Sequence, residues 1–193
     1  MIARPAAAAE ARDRDAASMR AVRDNDPSVR RAAARDPALS PELLFFLAAD
    51  TADEVRRQVA ENLATPGRAD VLLASDAGES VRGALLEKTV GRIPPNGADP
   101  EGPLEKFTLQ VLTVLAGDPS TEIRRLLAEA IRSHEHAPQA VVSTLAVDTE
   151  PAVAIPILRH SPQLSEADLL AAVDGQADPA RLAAVAQRPT LSS

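Results

Sequence analysis

The sequence predicts an all-α fold, specifically a right-handed α-solenoid of about five to six short two-helix repeats, and three observations carry that expectation. An acidic turn followed by Val-Arg recurs along the chain. Proline-marked breaks divide each copy into two short segments of helical periodicity. The apolar residues are those that helices favour: of 193 residues 45% are apolar but only 2% aromatic, with no Trp and no Tyr. Ala and Leu are strong helix formers, whereas strands draw on β-branched and aromatic side chains.

The repeat emerges when an Asp is placed five residues before a Val or Ile. Asp24 then pairs with Val29, Asp50 with Val55, Asp76 with Val81, Asp118 with Ile123 and Asp148 with Val153. Four of the five copies continue with Arg, at Arg30, Arg56, Arg82 and Arg124, while the fifth has Ala154. Successive anchors lie 26, 26, 42 and 30 residues apart, and Asp174 follows 26 further on. Self-similarity at such a period predicts stacked repeats, each burying its apolar face on its neighbours.

Residues 1–12 read as a frayed Ala-rich arm and residues 13–23 as a partial capping helix, which assigns the array to residues 24–193. In "DPSVRRAAARD", Asp26 is placed to cap, Pro27 suits the first helical position, and Val29, Ala32 and Ala33 recur at helical spacing. In "SPELLFFLAAD", Ser40 is the N-cap, Pro41 opens the second helix and Glu42 favours its positive end. At 100° per residue, Leu43, Leu44, Phe46 and Leu47 fall on one arc of about 160°, with Phe45 opposite. Phe46 is therefore expected in the core and Phe45 outside it, at a position that later copies fill with Thr113 and Ser143.

Between the helices of the third copy lies "GRIPPNGADPEGP", residues 91–103. Its Pro and Gly density rules out continuous helix, so an exposed insertion is expected there. At the other end, "RLAAVAQRPTLSS" starts a sixth copy and stops where its second helix should begin. An array ending in mid-unit exposes an apolar face, so the expectation is a longer protein, or an end covered by a partner or by a second copy.

Composition narrows the function. The chain has no cysteine, which excludes disulfides, thiolate metal sites and a cysteine nucleophile. No segment approaches about 18 uninterrupted apolar residues, and the N-terminus lacks the apolar stretch of a signal peptide, so a soluble cytoplasmic protein is expected. No P-loop, Rossmann glycine pattern, nucleophile elbow or zinc-hydrolase motif occurs, and no enzyme activity, metal or cofactor is expected. "HEH" at 134–136 sets two imidazoles two residues apart without a clear third ligand. In "SEAD", Ser165 and Asp168 have the spacing of a capping box.

The net charge of −7 is uneven: residues 1–35 hold eight Arg against five acidic groups, an excess of +3, which leaves −10 on the remainder. The acidic bulk argues against a nucleic-acid partner. The recurring Arg30, Arg56, Arg82 and Arg124, with Asp24, Asp50, Asp76, Asp118 and Asp148, are expected to form a structural ladder, each guanidinium forking onto an acid or turn carbonyl of its own or the adjacent unit. Ala154 should end it. Partner contacts are expected where copies differ: Phe45, Arg31 and Arg35, and Pro94, Pro95 and Asn96 in the insertion.

The unit "DPSVRRAAARDPALSPELLFFLAAD" resembles HEAT-type α-solenoids, and among them the leucine-rich-repeat-variant subclass. The stretch "VAIPILRHSPQLSEADLLAAV", residues 153–173, followed by "AVAQRPTLS", is similar to a bacterial HEAT-like family of unknown function. The resemblance covers roughly residues 20–193 and implies a non-enzymatic scaffold binding another protein, in a signalling or regulatory setting. The iron–sulfur cluster of some leucine-rich-repeat variants is not implied, because its cysteines are missing. HEAT-like DNA glycosylases suggest the alternative of nucleic-acid binding or repair, through Arg12, Arg14, Arg20, Arg23, Arg30, Arg31 and Arg35.

Overall fold

The computed structural model describes residues 4–98, 104–174 and 178–188. Residues 99–103 of the insertion and 189–193 of the last copy lie outside the described residues. Among the described residues there are twelve α-helices and no strand. The chain divides into two compact units, Met1–Leu85 and Leu86–Ser193, with the division inside one helix.

The first unit contains α1 (Arg4–Ala21), α2 (Pro27–Arg35), α3 (Pro41–Leu47), α4 (Asp53–Glu61), α5 (Gly67–Leu73) and the start of α6 (Glu79–Val90). Here α2 packs on α1, α3 and α4, while α3 packs on α4 and α5. The second contains α7 (Lys106–Ala116), α8 (Thr121–Ile131), α9 (Gln139–Ala146), α10 (Pro151–His160), α11 (Glu166–Asp174) and α12 (Pro179–Ala186). Here α8 packs on α10 and α10 on α12, while α7 packs on α9 and α9 on α11. Within each unit, a helix that follows an acidic turn therefore touches the next helix of its own kind.

Local chemistry starts these helices. The Asp26 carboxylate accepts the Ser28 N–H at 2.8 Å with Pro27 at the first helical position, and Asp178 repeats the arrangement on Ala180 at 2.9 Å. Ser40 and Ser120 cap α3 and α8. The recurrent Asp acts two residues earlier: Asp24, Asp50, Asp76, Asp118 and Asp148 each accept the N–H two residues ahead, at 2.8–2.9 Å. Each thereby closes the turn that feeds the following helix.

The core is aliphatic. Leu44, Leu47, Val55, Val59 and Leu73 are fully buried in the first unit, and Leu112, Leu115, Ile123, Leu127, Leu145, Val153 and Ile157 in the second. Removing such a side chain from water stabilises by about 1.5–3 kcal/mol.

Two sequence expectations need correction. Phe46 is 53% exposed and lies outside the core. The buried face of α3 runs only from half-buried Leu43 through Leu47 to Leu44, about 100° of arc, and Phe46 falls about 60° beyond its edge. The equivalent Val114 and Thr144 are exposed as well. On α2 the residue that is fully buried is Ala34, not Ala32 or Ala33, and Val29 is 37% exposed. Helix α1 begins at Arg4, within the Ala-rich stretch whose residue type favours helix.

Candidate functional site

The recurring arginines join successive repeats. Arg30 forks onto Asp50, Nε to Oδ2 at 2.6 Å and Nη2 to Oδ1 at 2.8 Å, while its Nη1 donates to the carbonyls of Asp24 at 2.8 Å and Asn25 at 3.2 Å. Arg56 does the same to Asp76, at 2.6 and 3.0 Å, and to the Asp50 carbonyl at 2.7 Å. Arg124 forks onto Asp148, at 2.6 and 3.3 Å, and donates to the Asp118 carbonyl at 2.6 Å. Arg82 donates to the carbonyls of Asp76 at 2.6 Å and Ala77 at 3.3 Å. One aspartate thus closes its own turn, holds the previous repeat's guanidinium with its carboxylate and its own repeat's guanidinium with its carbonyl. Such planar, two-pronged geometry is what arginine supplies and lysine does not.

The electrostatics follow. The Arg30 hydrogen bonds hold the Asp50 carboxyl below the usual carboxylate range against the opposing effect of burial. At Asp76 burial is the largest influence and pushes upward, but the Arg56 hydrogen bonds and the Gly78 N–H together bring the group below its ordinary value.

Where the pattern loses its arginine, another replaces it from the next copy. Ala154 occupies the fourth position of α10, where α2, α4 and α8 carry Arg30, Arg56 and Arg124. Arg181, at the third position of α12, is 1% exposed and donates to the carbonyls of Asp148 and, at 3.5 Å, Ala146. Of the equivalent residues, Val55, Val81, Ile123 and Val153 are aliphatic core and Val29 is partly exposed. Arg181 has therefore taken a valine's place and supplies, from the following repeat, the donor to Asp148 that an arginine at position 154 would have supplied. Nothing in the spacing of the Val-Arg motif signals this exchange.

A second link recurs at the helix ends. Asn62, just after α4, donates to the Ala34 and Asp36 carbonyls at 2.7 and 3.0 Å, capping the end of α2. Arg188, nine residues after the start of α12 as Asn62 is after the start of α4, donates to the carbonyls of Leu158 in α10 and of Ser161 just beyond it, at 2.6 and 2.8 Å. Burial draws the Arg188 guanidinium below its usual pKa.

The non-recurrent residues lie elsewhere. Arg31 and Arg35 on α2 line a groove of about 370 Å³ with Glu54, Arg57, Gln58 and Glu61 of α4. Within the α4 wall, Glu61 accepts from Arg57 at 3.1 Å and from Gln58 at 3.0 Å. Phe45 is 38% exposed and carries the Arg68 guanidinium 4.6 Å above its ring. Phe46, absent from the residues that the sequence singled out for binding, borders a larger groove of about 550 Å³ with Val22, Arg23, Ala49 and Thr51.

In the insertion, Pro95 and Asn96 are exposed and Pro94 is half-buried. The Asn96 amide is committed within the chain: its Oδ1 accepts the Glu135 N–H at 2.9 Å and its Nδ2 donates to the Ser133 carbonyl at 2.8 Å. Gly97, at φ 77° a conformation that side chains rarely adopt, turns its N–H onto the Glu135 carboxylate at 2.9 Å. Glu135 also receives Gln163 at its carbonyl, so the turn bearing "HEH" anchors the insertion. Among the described residues no group of three or more His, Cys, Asp or Glu is placed to hold a metal. Ser165 and Asp168 bond reciprocally, Asp168 Oδ2 accepting the Ser165 N–H at 2.9 Å and Ser165 Oγ accepting the Asp168 N–H at 3.2 Å.

No family model matches the chain, and no curated protein is detectably similar to it. Among the described residues no helix is long and apolar enough to cross a membrane.

Proposed function

We propose that the chain is a non-enzymatic interaction scaffold, a right-handed α-solenoid of HEAT-like repeats that binds another protein through surface residues in which the repeats differ. The observation that carries this reading is a division of labour among the arginines. Arg30, Arg56 and Arg124 are committed to aspartates of the next repeat, whereas Arg31 and Arg35 face an open groove. Stiffness from the Arg–Asp links presents the groove at little conformational cost on binding.

Nucleic-acid binding, the alternative, is less well supported. Arg30 is occupied by Asp50, and on α1 Arg12 and Arg14 alternate with Asp13 and Asp15. Photo-cross-linking tests the scaffold reading. A photoreactive residue at position 54 or 49, each exposed on the lining of one groove, should capture a protein from the source cells, and the same residue at position 125 should not. The captured protein, purified, should bind the chain at least about tenfold more weakly when Arg31→Ala and Arg35→Ala are combined or when Phe46→Ala is introduced. Capture at neither 54 nor 49 above the level at 125 would remove the reading.

A further inference from the structure

Resting on the scaffold reading, we propose that the groove between α2 and α4 receives an acidic peptide segment of the partner, with carboxylates one helical turn apart set against Arg31 and Arg35. These arginines are four residues apart on one helix, so they project from the same side. Both are exposed, both line the groove, and neither has an acid or hydrogen-bond partner among the described residues.

Arg12, Arg14, Arg20 and Arg23 are exposed and unpaired as well, but Arg31 and Arg35 stand one turn apart on the wall of one groove. Elsewhere exposed Arg57 and half-exposed Arg125 and Arg132 each pair with a glutamate three or four residues away, at 3.1, 2.8 and 2.9 Å. Helix α2, "PSVRRAAAR", contains no acid that could do this for Arg31 or Arg35.

The opposite wall selects the kind of acid. Glu54 and Glu61 line it, and Arg57 is already held by Glu61. A polyphosphate chain bears charge along its whole length and would meet those carboxylates. A peptide can place acids toward α2 and neutral or basic groups toward α4. Charge complementarity therefore favours an acidic peptide over a nucleic acid.

The test is fluorescence anisotropy of the full chain with a labelled alanine-based peptide carrying glutamates at i, i+4 spacing. Its probes for comparison are the same peptide with Gln for Glu, and a single-stranded DNA of equal charge. The Glu peptide should bind, more weakly as salt rises, and the Gln peptide about tenfold less tightly. Arg31→Gln with Arg35→Gln should remove the difference between the two peptides; Arg14→Gln with Arg20→Gln should leave it. Circular dichroism melts of the double variants should match the parent, since these side chains hold nothing in place.

Equal binding of the Glu and Gln peptides, or a difference that survives Arg31→Gln with Arg35→Gln, overturns the proposal. So does tighter binding of the DNA that depends on Arg31 and Arg35. If position 54 captures a protein but the acidic peptide fails, the scaffold reading stands and this one falls.

Discussion

At the scale of single residues, Phe46 and Arg181 show how position on a helix overrides residue type. Phe46 is a large aromatic in a Leu-rich helix, yet it is 53% exposed because the buried arc of α3 is narrow. Phe46→Ala should therefore change stability by no more than about 1 kcal/mol, whereas Leu44→Ala, a fully buried truncation, should lose about 2–5 kcal/mol in urea unfolding. Arg181 is the converse, a cation in a valine's place. Arg181→Ala leaves a cavity and two carbonyls without their donor and should cost about 2–4 kcal/mol. Combining Arg181→Val with Ala154→Arg returns the arginine to its usual position and should recover part of that loss. If the double variant is no more stable than Arg181→Val alone, Arg181 does not act in place of a residue at 154.

At the scale of elements, the link between neighbouring helices is an arginine held by the next repeat's aspartate. Breaking one side leaves the other charge half-buried and unpaired, so Arg124→Ala should destabilise by about 1–3 kcal/mol, read as a lower urea midpoint. The links also set the response to acid. Asp50 and Asp76 ionise below their ordinary range when folded, so the stability they contribute is complete above about pH 4 and is lost as pH falls through the lower folded values. Thermal melts between pH 2 and 7 should show a shallower acid decline for Asp50→Asn than for the parent. An identical decline would mean that the Arg30–Asp50 pair adds nothing to folding.

These elements were largely legible in the sequence. The caps at Asp26 and Ser40 and the recurrence of Asp with Val-Arg are local patterns, and local patterns report backbone hydrogen bonding directly. The face of α3 was not legible, because seven residues make barely two turns and several arcs fit the same apolar set. The insertion shows a similar limit: its Pro and Gly content marked a break in helix, but not that Asn96 and Gly97 would bond to residues 133 and 135.

At the scale of the whole molecule, the distribution of charge bears on function. The net charge of −7 sits with a small set of arginines that the repeat does not consume. The scaffold reading and the acidic-peptide inference both depend on that remainder, and cross-linking at position 54 with the paired Glu and Gln peptides separates them.

The sequence by itself determined that the chain is helical, where most helices begin and which charged residues recur, because these follow from propensity, capping and period. Tertiary structure alone decided that Arg181 stands in for an arginine at 154, that Phe46 faces outward and that Arg31 and Arg35 border a groove. Those facts depend on which helices are neighbours, and contacts between residues some 20 to 35 positions apart leave no trace in a local pattern.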